Sequence, residues 1–171
     1  MLKQNKIDVA FMDHPCQEEK FHHLRVFDYQ MVCAANQNHP LSKKASVSLT
    51  ELAKANMIIN NQDENLLLHI DKQLSKYTLS TFEVNQFSAV ENALNANLGV
   101  GFLPESLVKS NKMLTPLHIK GLGMNKQAHI AYHEQKLFSK GITLFLDFVN
   151  DYYKLKQPSI KKQVAALEAT A

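Results

Sequence analysis

The side chains best suited to chemistry gather near the start of the chain, where His14, Cys16, His22 and His23 fall within ten residues. Imidazole and thiolate are the common zinc ligands, and a structural zinc site needs four of them at recurrent spacings. His14-Pro15-Cys16 followed by His22-His23 matches no such spacing, and the polar run from His14 to His23 reads as a solvated loop. No metal and no cofactor are expected. Gly99-Val100-Gly101 has the glycines of a phosphate-cradling turn. A dinucleotide fingerprint, however, follows a strand and opens a helix. Here a helical pattern comes first and a strand pattern follows, so a nucleotide role is not expected. Ser88 and Ser106 lack the sharp turn that presents a nucleophile, and no histidine has a recognisable acidic partner. Catalysis is therefore not expected. Cys33 lies in an apolar run and reads as a buried structural thiol.

The elements around these residues alternate between strand and helix patterns. Ile7-Asp8-Val9-Ala10-Phe11 and Leu24 to Ala35 read as strands, broken by Asn36-Gln37-Asn38-His39-Pro40. Ser48-Leu49-Thr50-Glu51 is a capping-box pattern, predicting a short helix to about Lys54. A strand is expected at Asn56 to Ile59. A helix should follow with Leu66, Leu67, Ile70 and Leu74 on one face. Leu79 to Val84 predicts another strand. Ser88-Ala89-Val90-Glu91 predicts a second capping box, opening a helix that Gly99 should terminate. Val100 to Leu103 reads as a buried strand stopped by Pro104, with weaker strands at Leu114 to Ile119 and Gln127 to Tyr132. Ser139 should start a last helix presenting Ile142, Phe145, Leu146, Val149 and Tyr153 on one face. Strands alternating with helices imply an α/β fold with a parallel or mixed sheet. Leu24 to Ala35 and Leu114 to Tyr132 are candidates for two crossings between lobes.

Composition narrows the function classes. Of 171 residues, 19 are Lys or Arg and 16 Asp or Glu, and Arg25 is the sole arginine. The basic residues form no stripe of the kind a nucleic-acid face needs. Two cysteines make no disulfide framework, which favours a reducing cytoplasm. No apolar run approaches the roughly 20 residues that span a bilayer, and no signal-peptide core follows Met1. No membrane partner is expected.

Five segments in order carry a family resemblance. Ile7-Asp8-Val9-Ala10-Phe11 resembles the "lDlai" strand of LysR-type effector domains, and Asn38-His39-Pro40-Leu41-Ser42 their "HPLa" turn. Val47-Ser48-Leu49-Thr50-Glu51-Leu52 is similar to "vsl.dL", and the run Ala93 to Pro104 to "lVaaGlGialLP". Leu144-Phe145-Leu146-Asp147-Phe148-Val149 sits where the family's closing helix falls. The resemblance covers roughly Leu2 to Tyr153 and lacks counterparts for the family's winged helix-turn-helix, its linker helix and the first strands of the sensing domain.

The resemblance implies a two-lobed, periplasmic-binding-protein-like α/β fold with mixed sheets. Residues 1–33 and 118–156 would form a first lobe, incomplete here, and 34–117 a second; 157–171 would be a loose tail. It implies the effector-sensing part of a cytoplasmic transcription regulator, with a small metabolite held between the lobes. DNA would be reached only through the winged helix-turn-helix domain. Homo-oligomers would form through lobe surfaces including the helix from Ser88 to Leu98. Ligands of open α/β sheets sit beyond the carboxyl ends of strands, which places Met12 and Asp13 on one rim. Asn60, Asn61, Gln62, Asn65, Leu66 and Gln86 fall on the other. Family ligands are often small anions, yet this rim has no arginine, and Asp13, Asp63 and Glu64 lie near it. A neutral or amino-bearing ligand is at least as well matched as a carboxylate. With part of one lobe wanting, weak or absent binding by this chain alone is expected. A solute-binding protein of a transporter is the alternative on the same fold, and would need export.

Overall fold

The computed structural model describes residues 1–13, 20–133 and 138–153. The chain divides into two compact units, one from Met1–Asp28 with the chain from Lys126 onward, the other from Tyr29–Asn125. The expected tail at 157–171 and most of the His14–His23 segment, residues 14–19, lie outside the described residues.

The second unit is a mixed sheet with helices on both faces. Its strands are the latter part of β2 (Phe21–Asn36), then β3 (Asn56–Asn60), β4 (Ser80–Val84), β5 (Val100–Pro104) and β6 (Leu114–Pro116). β5 runs antiparallel to β2, with Cys33 opposite Phe102, while β3 lies parallel to both β5 and β4. Across the sheet the order is β2-β5-β3-β4, with β6 paired to β2. Successive side chains of a strand point to opposite faces, so β3 and β5 feed two apolar layers. Met57, Ile59, Val100 and Phe102 pack with Leu66, Ile70 and Leu74 of α2 (Glu64–Leu74). Ile58 and Leu103 pack on the other side with Val90 and Leu94 of α3 (Phe87–Asn95).

Several helix ends differ from expectation. The first capping box forms at α1 (Leu49–Leu52): the Ser48 hydroxyl accepts from the Glu51 N–H, and Glu51 Oε2 accepts from the Ser48 N–H. Lys44 also binds Glu51, and with the Ser48 contacts holds its carboxyl down to about 2. The helix closes at Leu52, two residues short of Lys54. The second capping box does not form. α3 begins at Phe87 with Gln86 as its cap residue; the Ser88 hydroxyl donates to Gln86 Oε1, and Glu91 accepts from Asn111 at 2.7 Å. Nor does Gly99 cap that helix. Asn97 takes the left-handed conformation at φ 57°. Its N–H donates to the Leu94 carbonyl and that of Leu98 to Ala93, a Schellman ending. Gly99 has a different reason: a Cβ there would overlap the carbonyl of Asn56. Pro104 ends a strand as expected, but it also opens an unexpected helix, α4 (Glu105–Ser110), supported by a Lys109–Glu105 pair one turn apart at 2.8 Å.

The first unit holds β1 (Val9–Met12), the start of β2 and β7 (Met124–His133), in the order β1-β7-β2. β1 and β7 are antiparallel, with Met12 opposite His129. Leu24, Val26, Ile130 and Tyr132 form one face, covered by Leu146 and Val149 of α5 (Lys140–Tyr152). Ser139 caps α5 as expected, its hydroxyl accepting from Ile142 N–H at 3.4 Å. Phe145 and Tyr153 are not in this core. Phe145 meets Phe11 edge-on, and Tyr153 stacks on Phe27 at 5.1 Å. β2 starts at Phe21, three residues before Leu24, so His22 and His23 are strand residues rather than loop. The cross-strand pairs Phe21–His133 and His22–Tyr132 account for the extension.

Candidate functional site

The polar junction of the second unit is built where two parallel strands end together. Asn60 closes β3 opposite Val84 of β4, and the Asn61 N–H donates to the Val84 carbonyl at 2.8 Å. Asn60 is buried, and its Oδ1 accepts from the Gln62 N–H at 3.1 Å, turning the chain toward α2. The Gln62 amide donates to Asn61 Oδ1 at 3.0 Å, and Asn61 reaches Glu83 at 3.5 Å. Asn61, Gln62 and Asn65 are exposed, the last in the first turn of α2. Gln86, also exposed, follows β4 by two residues and starts α3. Asn60, Asn61, Gln62, Asn65 and Gln86 thus share one end of the sheet. Leu66 differs. Its side chain is fully buried in the core and its N–H donates to Asp63 Oδ1 at 3.0 Å.

The acidic end of the Asn60–Glu64 loop suits a helix N-terminus, and in the fold Asp63 is the cap of α2. Asp63→Ala is expected to cost about 1 kcal/mol, read as a lower urea midpoint with an unchanged slope. With Glu64 and Glu83 beside it, and no Lys or Arg among residues 60–66 or 83–88, the junction is acidic. Its asparagine and glutamine amides can both donate and accept.

In the first unit Met12 ends β1, and Asp13 follows it. Asp13 Oδ2 accepts from Lys126 Nζ at 2.7 Å; the lysine side chain is 3% exposed and the carboxylate 37%. Sequence reasoning missed Lys126. The available signal was its place in Lys126-Gln127-Ala128-His129-Ile130, a charge in step with buried Ala128 and Ile130. Removing one partner of a buried pair costs more than replacing both. Asp13→Asn is expected to destabilise by about 1–3 kcal/mol, less than for a wholly buried pair because Asp13 is at the surface. The Asp13→Asn/Lys126→Met double variant should recover part of that loss in urea denaturation.

Cys33 is buried as expected, and burial pushes its thiol up to about 12, so it stays protonated and inert. Among the described residues no group of three His, Cys, Asp or Glu is placed to hold a metal, and no helix is long and apolar enough to cross a membrane.

The chain matches the family model "LysR substrate binding domain" over residues 1–154. It is 23% identical over 154 residues to the HTH-type transcriptional activator CmpR of Synechocystis, covering 86% of this chain and 51% of that protein. It is 20% identical over 178 residues to a probable RuBisCO transcriptional regulator of Cyanophora paradoxa, covering 97% and 55%. The chain therefore spans about half the length of these relatives. The fold is similar to that of the Synechocystis CcmR regulatory domain in complex with 2-PG, with a TM-score of 0.76 and 20% identity, over 90% of this chain and 76% of that one. It is also similar to the effector binding domain of QuiR in complex with shikimate, at TM-score 0.74 and 20% identity, over 90% and 75%. With the mixed α/β architecture and a family match that spans all of the described residues, this chain belongs to the LysR substrate binding domain family.

Proposed function

We propose that this chain is the effector-sensing part of a LysR-type transcription regulator, acting in the cytoplasm by binding and not by catalysis. The observation that carries the reading is the family match over residues 1–154, joined to a cluster of exposed amides at the carboxyl ends of β3 and β4. Its sequence relatives are transcription regulators, which favours regulation over solute transport. In the intact regulator, ligand occupancy would shift the population of conformers and so alter DNA engagement by a winged helix-turn-helix domain. Met12, Asp13, Asn60, Asn61, Gln62, Asn65 and Gln86 are the proposed contacts, with Leu66 supporting them from the core. The acidic, arginine-free junction favours a neutral or amino-bearing ligand over a dicarboxylate.

Amide-resolved NMR titration at millimolar ligand reads even weak binding. Neutral sugars and amino acids are expected to move the signals of Asn61, Asn65 and Gln86 more than the anions succinate and shikimate do. Asn61→Ala and Gln86→Ala should abolish the shifts. Shifts that persist in both variants, or that arise only with succinate, would refute the assignment.

A homo-oligomer through α3 and the neighbouring β4 is part of the same proposal. Phe82 is 61% and Leu98 59% exposed, and with Asn56, Ile58, Ser80 and Thr81 they line a groove of about 380 Å³. Phe82→Lys should lower the mass measured by light scattering from that of an oligomer to that of one chain. A wild-type chain monomeric at high concentration would remove this part.

A further inference from the structure

The first unit brings together three side chains that are far apart in the sequence. β7 lies between β1 and β2. Met12 of β1 is the register partner of His129 of β7. Antiparallel partners project from the same face of a sheet, with Cβ atoms about 4.5–5.5 Å apart. On the other side of β7, the His23 ring meets the His129 ring edge-on at a centroid separation of 5.8 Å. One thioether and two imidazoles therefore form a row across three adjacent strands. Leu24, Val26, Ile130 and Tyr132 occupy the opposite face under α5, so the row lies outside that core.

We propose that Met12, His23 and His129 form a binding site for a soft transition-metal ion, cuprous copper being the ion whose preferences they match. Thioether sulfur selects soft cations and neutral imidazole suits copper. No carboxylate is in the set, so a hard divalent ion such as magnesium gains nothing there. Arg25, two residues beyond His23 along β2, is held by Asp28, with Nε 2.9 Å from Oδ1, which offsets its charge. His129 is 4% exposed and would bind with little competition from bulk water, whereas His23 is exposed and gives the ion an entrance. The site differs from the four-ligand zinc patterns sought among His14, Cys16, His22 and His23, and it shares only His23 with them.

Anaerobic competition for Cu(I) against the chromophoric chelator bicinchoninate tests the site on the whole chain. The chain is expected to withdraw one equivalent. Met12→Leu conserves volume and should weaken that transfer at least tenfold, as should His23→Gln on the exposed strand position; His129→Gln should abolish it. Far-UV circular dichroism identifies any variant that fails to fold, and the first two keep the test decisive if His129→Gln does. X-ray absorption of the loaded chain should report one sulfur and two imidazoles. No withdrawal by the wild type would overturn the proposal. So would affinity unchanged in Met12→Leu or His23→Gln, or copper lost instead on Cys16→Ser.

Discussion

Gly99→Ala is expected to lower the melting temperature of the chain by roughly 6–12 °C, from a loss of about 3 kcal/mol. The reason is an approach of two backbones. Gly99 precedes β5 and lies against Asn56, the first residue of β3, so that an added Cβ would overlap the Asn56 carbonyl. A flexible side chain could rotate away, but a carbonyl in a parallel pairing cannot move without disturbing Met57 opposite Val100 and Ile58 opposite Gly101. Gly101 repeats the constraint more mildly, since its Cβ would lie 2.8 Å from the Ile58 carbonyl oxygen and 2.9 Å from a Val90 methyl. Gly123→Ala is the control: nothing lies within 4 Å of the added carbon, and the melting temperature should hardly change. Calorimetry of the three proteins decides the matter. A Gly99→Ala chain melting within a degree of the parent would show that the two strands can separate freely there.

Phe102→Ala should cost about 3–5 kcal/mol, as for large-to-small changes at sites that cannot collapse. Phe102 is 1% exposed at the centre of β5, opposite Cys33. It packs in the layer that holds Met31, Met57, Ile59, Leu66 and Ile70. Strands β2 and β3 fix its surroundings on both sides, so neighbours cannot fill the space without breaking ladder hydrogen bonds. Phe102→Leu keeps most of the volume and should cost less than half as much. Urea denaturation reads both as midpoint shifts at constant slope. A loss below about 1 kcal/mol for the alanine variant would mean that this layer repacks, contrary to the close packing of such interiors.

The contrast between Phe102 and Gly99 also marks the limits of reading this chain from its residues. Phe102 was legible because an apolar strand flanked by a helix pattern must be buried on both faces. Gly99 was recognised as special but for the wrong reason, because a terminating glycine and a close-approach glycine look alike until the neighbouring strand is known. Ser88-Ala89-Val90-Glu91 carried the same ambiguity. Its pattern equals that of Ser48-Leu49-Thr50-Glu51, yet the Asn111 side chain takes Glu91 from a position 20 residues away, and only the first box forms.

Local chemistry determined the main strands and helices apart from α4, the Ser48, Ser139 and His39 turns, and the buried thiol of Cys33. Those follow from periodicity, capping and turn residues, which act within a few positions along the chain. Tertiary structure alone decided that the Asn60–Gln62 turn and Gln86 share one end of a sheet, that Asp13 is matched by Lys126, and that Met12, His129 and His23 stand in a row. Each of these depends on which strand lies beside which, and strand adjacency arises from burial and pairing between residues tens of positions apart.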